Sequence, residues 1–353
     1  MIKSPQLDKD QTRDIGMEVT EKNDMHGKEA LGGGDVVRDV VSKDCDEIKE
    51  KCDNELKVDP FYVRLLFSPL DYLKMIAVLI ILVPIRFVVA LAALTLAWAV
   101  SCIGLVNIDQ TKPITGWRKV LQKISCFLGR VCCRCCGFSV TMTGTRASKA
   151  EAPVLVAAPH SSFFDALAIF WTESFIVNRE ENKDILLIGK CVQFAQAIFV
   201  SRESKESREL CKEEIKRRVR GEEDWDQFMI FPEGTTSNRQ ALMSFKPGGF
   251  LPGKPVQPVL IKYHLEHDTV SWTWDQPHGF IACFFFTICQ VINRVELEFL
   301  PPYIPNELEQ QDPMLFANNV RNEMAGALGV PLCDMTFEDI KNKYRKQERK
   351  KED

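Results

Sequence analysis

The sequence predicts an α/β fold, a mixed sheet flanked by helices, with an N-terminal membrane-embedded helical segment. Three observations predict it. Short apolar runs alternate with amphipathic stretches from residue 151 to about 300, the pattern of strands and helices in alternation. A 32-residue run, 75 to 106, carries one charge, Arg86. With 45% apolar and 27% charged residues in 353, the chain can bury a core in one large domain with appendages, or in two domains.

Residues 1 to 57 are polar, net acidic and poor in aromatics, with a glycine triplet at Gly32 to Gly34. Such a stretch buries too little apolar surface to offset its ordering entropy and reads as a disordered tail. Composition flips at "DPFYVRLLFSPLDYL", an interfacial lead-in to the apolar run. A bilayer core takes about 20 apolar residues as a helix, so the run exceeds one simple span, and Pro84 and Arg86 interrupt it. A central arginine costs about 2.5–3.5 kcal/mol on insertion scales, and each Leu, Ile or Val returns about 0.3–0.6. Insertion therefore survives, either as a tilted span or as a hairpin within one leaflet. This segment occupies residues 58 to 110.

The soluble domain is expected over residues 111 to 336. "APVLVAA", "ILLIGK", "AIFVSR", "FMIFPEG", "VQPVLIKY", "VSWTW" and "VELEFLPP" read as strands. "SSFFDALAIFWTES" and "SKESRELCKEEIKRRVR" read as helices. The run from 280 to 292, "FIACFFFTICQVI", is too short to span and is either a buried or an interfacial helix. Residues 337 to 353 form a charged tail ending "KKED".

Net charge is −4, and no basic excess points to nucleic acid. The 13 cysteines are scattered apart from "CCRCC" at 132 to 136, no cleavable signal peptide opens the chain, and no N-x-S/T sequon occurs. Reduced thiols facing the cytosol are expected. "CCRCC" lacks a second ligand pair nearby, so S-acylation or tolerated buried thiols are expected rather than zinc.

In "AAPHSSFFDALAIF", residues 157 to 170, His160 sits where a strand ends and a helix begins. Ser161 or Ser162 can cap the helix. On one continuous helix, positions five apart diverge by roughly 140°. Placed just before the first turn, however, His160 can fold back so that Asp165 holds one ring nitrogen and leaves the other as a base. No G-x-S-x-G elbow accompanies it, so a substrate hydroxyl is the expected nucleophile. In "FMIFPEGTTSNR", residues 228 to 239, Gly234 permits close backbone approach. Glu233 is a candidate hydroxyl ligand, and Thr235, Asn238 and Arg239 are candidate phosphate ligands. An ordinary strand-to-loop turn is the alternative.

Together these segments resemble the signature of the glycerolipid acyltransferases that use acyl-CoA, H-x4-D followed about seventy residues later by F-P-E-G-T. "GKCVQFAQAIFVSRES" resembles the family's second block, with Arg202 in its phosphate-binding position, and "VQPVLIKY" resembles the fourth, with Pro258. "EGTTSNRQALMSFKPGGFLPGKPVQPVLIKY" and "SWTWDQP" are similar to the lysophosphatidylcholine acyltransferase branch, some of whose members carry lyso-PAF acetyltransferase activity. The resemblance covers about residues 59 to 335.

The resemblance implies the glycerolipid acyltransferase fold and this activity: His160, oriented by Asp165, deprotonates the sn-2 hydroxyl of a lysophospholipid, which attacks acyl-CoA. Arg202 would hold a phosphate, Glu233, Gly234 and Thr235 would position the glycerol, and Lys246 and Arg239 would add phosphate contacts. Acyl-CoA is a co-substrate; no cofactor or metal is expected. The partners are acyl-CoA, a lysophospholipid and the bilayer. No D-x-[DN]-x-[DN]-G loop is present, so EF-hand regulation is not expected. The "KKED" end resembles a dilysine retrieval signal, which implies the endoplasmic-reticulum membrane with a cytosolic catalytic domain. A cradle for choline from Trp272 and Trp274, sharing one strand face, is one reading of "SWTW"; strand core is the other. "CKEEIKRRVR" faces CoA phosphates, an anionic bilayer or solvent. The rivals are a lysophosphatidic acid acyltransferase, a lipid hydrolase, and a catalytically silent lipid-binding scaffold.

Overall fold

The computed structural model describes residues 59–201, 204–273 and 279–335. The acidic N-terminal tail, the "KKED" end, Arg202 and Trp274 lie outside the described residues.

Helix α1, Pro69–Leu105, opens on a capping box. Ser68 Oγ accepts the Asp71 N–H, and the Asp71 carboxylate accepts the Ser68 N–H at 2.9 Å, which satisfies two orphan donors of the first turn. The helix runs on through Pro84. Its most apolar 18-residue window has mean hydropathy 2.8 and is 11% buried. By length and composition it can cross a membrane, and at about 1.5 Å per residue it exceeds a hydrocarbon core of about 30 Å.

Arg86 does not point at lipid unpaired. Its guanidinium donates to the carbonyls of Ile288 at 2.9 Å, Gln290 at 2.8 Å and Val291 at 2.6 Å. These close helix α6, Phe280–Ile288. The last carbonyls of a helix have no partner within it, and a cation there also meets the negative end of the dipole.

Helix α2, Trp117–Cys135, packs back on α1 through Leu128 against Ala93 and Ala97. Glycines set the approach distances. A Cβ on Gly104 would lie 2.3 Å from the Phe194 ring, and one on Gly129 would lie 2.4 Å from Phe170. The other face of α2 leaves Trp117, Val120, Ile124 and Phe127 exposed.

The main sheet has the order β1-β8-β7-β2-β5-β3-β4. The strands are β1 Phe138–Gly144, β2 Val154–Ala158, β3 Phe175–Arg179, β4 Ile198–Val200, β5 Phe228–Ile230, β7 Val256–His264 and β8 Asn293–Phe299. Every neighbouring pair is parallel except β7 with β8. The predicted mixed sheet flanked by helices is thus observed. A small parallel pair, β6 Leu242–Met243 with β9 Leu332–Cys333, lies apart.

All five residues of β2 are buried, and its alternation divides the core. Val154, Val156 and Ala158 join a cluster with Ile215 of α5, Lys205–Val219, and Phe316 of α8, Pro313–Leu328. Leu155 and Ala157 join Phe164, Leu167 and Met229 on the opposite face. A strand covered on both faces needs apolar side chains at both parities, which is why "VLVAA" is a continuous run.

Two predicted strands are not strands. "ILLIGK" leads into α4, Ile188–Phe194, after Leu187 at φ +64°. Residues 269 to 273 pair with no strand of the sheet. Conversely, "FSVTMTG" is the edge strand β1, buried only at its start. Helix α6 is interfacial in character: Phe280, Ile281, Phe284 and Phe285 are exposed, while Cys283 and Thr287 are buried.

Candidate active site

β2 and β5 are adjacent and parallel, so the segments following their carboxyl ends emerge side by side, the usual place for a ligand crevice in an open α/β sheet. His160 follows β2, and Pro232 to Thr235 follow β5. After His160 the chain enters a 3₁₀ turn, Phe163–Ala166, capped by Ser162. The tighter turn, rather than a continuous α-helix, lets Asp165 reach back.

Asp165 Oδ2 lies 2.8 Å from His160 Nδ1 and also accepts the N–H groups of Ser161 at 2.5 Å and Ser162 at 2.9 Å. Its Oδ1 accepts the Tyr263 hydroxyl at 2.6 Å. Asp165 is fully buried. A buried carboxylate surrounded by donors accepts a hydrogen bond from Nδ1–H of the imidazole, which leaves Nε2 as an acceptor. Among the described residues Nε2 has no hydrogen-bond partner, and the His160 side chain is 23% exposed. The ring rests on Phe231, centroid to centroid 4.7 Å.

Glu233 faces inward. It is 2% exposed, and its two oxygens accept the backbone N–H of His160 at 2.5 Å and of Met243 at 3.0 Å. Burial pushes its pKa up to about 7, against the two N–H bonds, which favour the anion. These two bonds make Glu233 a backbone clamp behind His160. His160 is fixed from the other side by the Ser237 N–H, which donates to its carbonyl at 2.8 Å.

Gly234 takes φ +62°, and the Lys246 side chain lies across it; a Cβ there would meet Lys246 Nζ at 2.6 Å. The Lys246 N–H bonds the Pro232 carbonyl at 2.8 Å. Lys246 is exposed and Thr235 buried beside it in this turn.

Asn238 and Arg239 make contacts within the protein. Asn238 Nδ2 donates to the carbonyls of Asp59 at 2.8 Å and Tyr62 at 2.9 Å, and its N–H to Pro60 at 2.7 Å. It ties down the lead-in to α1. Arg239 pairs with Asp268 at 2.7 Å, donates to Ser271 Oγ at 2.8 Å and covers the Tyr263 ring at 5.1 Å. Pro258 sits within β7 opposite Val156, in the sheet rather than the site. Arg202 is outside the described residues.

Trp272 is half-exposed. Its N–H bonds the Ser161 carbonyl at 2.9 Å, and its ring stands near Phe163 and Phe280. With Trp274 outside the described residues, the choline pair has one visible member, on a loop. Lys212, Lys216 and Arg217 in α5 pair with glutamates on the same helix, and Arg218 is buried against Trp225. These pairs offset part of the helix's charge, six basic residues standing against four glutamates along Lys205–Val219. In "CCRCC", Cys132 Sγ faces the Ala90 carbonyl, and Cys133 and Cys136 pack under the sheet, where burial raises both thiols. One mixed group, Asp71, Glu266 and His267, brings ligating atoms within 4.8 Å, but Asp71 already serves Ser68 and Lys74.

Sequence reasoning missed Tyr263 and Ser237. The signal for Tyr263 was a polar tip near the end of an otherwise apolar strand, "VQPVLIKY".

Residues 139–262 match the family model described as Acyltransferase. The chain is 43% identical over 291 residues to lysophosphatidylcholine acyltransferase 1 of Danio rerio, covering 80% of this chain and 55% of that protein. It is 44% identical over 290 residues to lysophosphatidylcholine acyltransferase of Drosophila melanogaster, covering 80% and 54%. It is 44% identical over 287 residues to lysophosphatidylcholine acyltransferase 2 of Homo sapiens, covering 80% and 53%. The chain spans about half the length of the curated relatives it matches.

Proposed function

We propose, from the match of residues 139–262 to the family model described as Acyltransferase, that the chain transfers an acyl group from acyl-CoA to the sn-2 hydroxyl of lysophosphatidylcholine. The observation that carries this reading is His160, held through Nδ1 by a buried Asp165 with Nε2 unpartnered. Nε2 takes the hydroxyl proton, and the oxygen attacks the thioester carbonyl. The C–S bond breaks, and the CoA thiolate takes the proton back from the imidazolium. A positioned base supplies about 10²–10⁴ in rate. Lys246, folded over the Gly234 turn, offers a cation to a substrate phosphate. The names of the relatives favour the choline acceptor over lysophosphatidic acid.

The protein works at a membrane, by this reading that of the endoplasmic reticulum, with the catalytic domain in the cytosol. The Arg86 bonds to residues 288 to 291 support a shallow seat. Arg86 is midway along α1, and a straight span would carry the end of α6 to the bilayer centre. The exposed faces of α1, α2 and α6 supply the apolar surface for one leaflet.

The test is transfer of labelled acyl-CoA, and of acetyl-CoA, in membranes containing the full chain. The acceptors are lysophosphatidylcholine, its ether-linked lyso-PAF analogue and lysophosphatidic acid. Product with the choline acceptors is expected; product with lysophosphatidic acid alone overturns the acceptor assignment.

A further inference from the structure

We propose that Tyr263 is a third member of the His160–Asp165 pair, a positioning residue whose hydroxyl holds Asp165 and thereby sets the basicity of His160. The inference rests on the proposed role of His160 as base.

The geometry is specific. Asp165 Oδ2 serves the His160 ring and two backbone N–H groups. Among the described residues, the partner of Oδ1 is the Tyr263 hydroxyl, at 2.6 Å. With Asp165 fully buried, no water replaces that donor when it is removed. Tyr263 lies near the end of β7, beside β8, with its ring against Phe138 at 6.3 Å. Arg239 covers the other part of the ring and is itself fixed by Asp268 and Ser271. The hydroxyl is therefore aimed by packing on a strand and by a clamped guanidinium, not by a mobile loop.

The charged and titratable groups facing this pair are His160, Glu233, Arg239 with its partner Asp268, and Cys133. Burial and the neighbouring Asp165 carboxylate push the Tyr263 ionisation well above the ordinary phenol range, so the hydroxyl remains a donor at any working pH. A donor on Oδ1 draws carboxylate charge away from Oδ2 and weakens its attraction for the imidazolium. It also fixes the plane of the carboxylate, which aims the ring. Removing the hydroxyl alone leaves Oδ1 unpaired and strengthens the His160–Asp165 attraction, so His160 holds its proton to higher pH.

The experiment uses the full chain in membranes and the variant Tyr263→Phe, with acyl transfer to lysophosphatidylcholine followed from pH 5 to 9. The acid limb of kcat/KM is expected to move to higher pH by about half a unit to one unit. The plateau kcat is expected to fall about tenfold, with KM for acyl-CoA within about twofold of wild type. An unmoved acid limb and an unchanged kcat overturn the proposal. If Tyr263→Phe does not accumulate folded, 3,5-difluorotyrosine placed at position 263 decides. It keeps the ring and strengthens the donor, and the limb must then move to lower pH; no movement overturns the proposal. The same membranes carry wild type and His160→Ala. Wild type without transfer activity is a failure of the functional reading. Active wild type, inactive His160→Ala and an unaltered Tyr263→Phe is a failure of this inference alone.

Discussion

Arg86 of the apolar helix α1 bonds the carbonyl of Ile288, the last residue of α6, at 2.9 Å, 202 positions away in sequence. The one charge within the apolar run ties α1 to the end of α6. Helix α6 in turn presents Phe284 to Phe164, rings nearly parallel at 6.0 Å. Phe164 adjoins Asp165 in the same 3₁₀ turn.

Replacement of Arg86 by leucine should therefore destabilise rather than improve insertion. Three carbonyls lose charged donors together, at about 2–4 kcal/mol in all. Thermal unfolding in detergent should show a clear fall for Arg86→Leu and a smaller one for Arg86→Lys. A leucine variant as stable as wild type would show the contacts to be incidental.

Glu233 gives a pH signature of the folded state. Burial raises its pKa from the ordinary glutamate value to about 7. A carboxyl raised on folding contributes stability that is present below its unfolded value, about 4.3, and is lost as pH rises through about 7. Glu233→Gln removes this dependence. Relative to the variant, wild type should lose stability between about pH 4.5 and 7 and hold level above. Parallel melting-temperature curves across that range would contradict the buried clamp.

At Gly234 the backbone conformation at φ +62° and the Lys246 chain both resist a side chain. Gly234→Ala should cost about 1 kcal/mol in strain and displace Lys246. Steady-state kinetics should show a raised KM for the phosphate-bearing substrate. An unaltered KM would remove Lys246 from the binding account.

Arg239 is a structural cation. Arg239→Ala breaks its contacts to Asp268, Ser271 and the Tyr263 ring, and the melting temperature should drop alongside activity. A variant of wild-type stability with a raised KM for CoA would instead restore the phosphate role expected from sequence.

What was legible in the sequence is local. His160 and Asp165 are five positions apart, and a strand end, a cap and a short turn suffice to join them. The strands buried on both faces, "VLVAA" and "VQPVLIKY", announce themselves by continuous apolar runs. Alternation does not name a partner, so the described part of "VSWTW", residues 270 to 273, resembles a strand yet pairs with none. The edge strand β1, solvated on most of its length, carries too weak a pattern to be seen. Asn238 and Arg239 have side chains suited to phosphate, but their partners, Asp59 and Asp268, arrive from distant segments, and only the fold reveals those contacts. The Glu233 clamp is hidden for the same reason: its backbone partner at Met243 depends on a turn whose closure the sequence does not specify.

The most direct test of the account compares wild type, His160→Ala and Asp165→Asn for acyl transfer to lysophosphatidylcholine in matched membranes. Membrane-bound protein should be equal in all three. The account predicts loss of transfer to background in His160→Ala and a fall of about 10²–10⁴ in Asp165→Asn. Retained transfer in purified His160→Ala would contradict it.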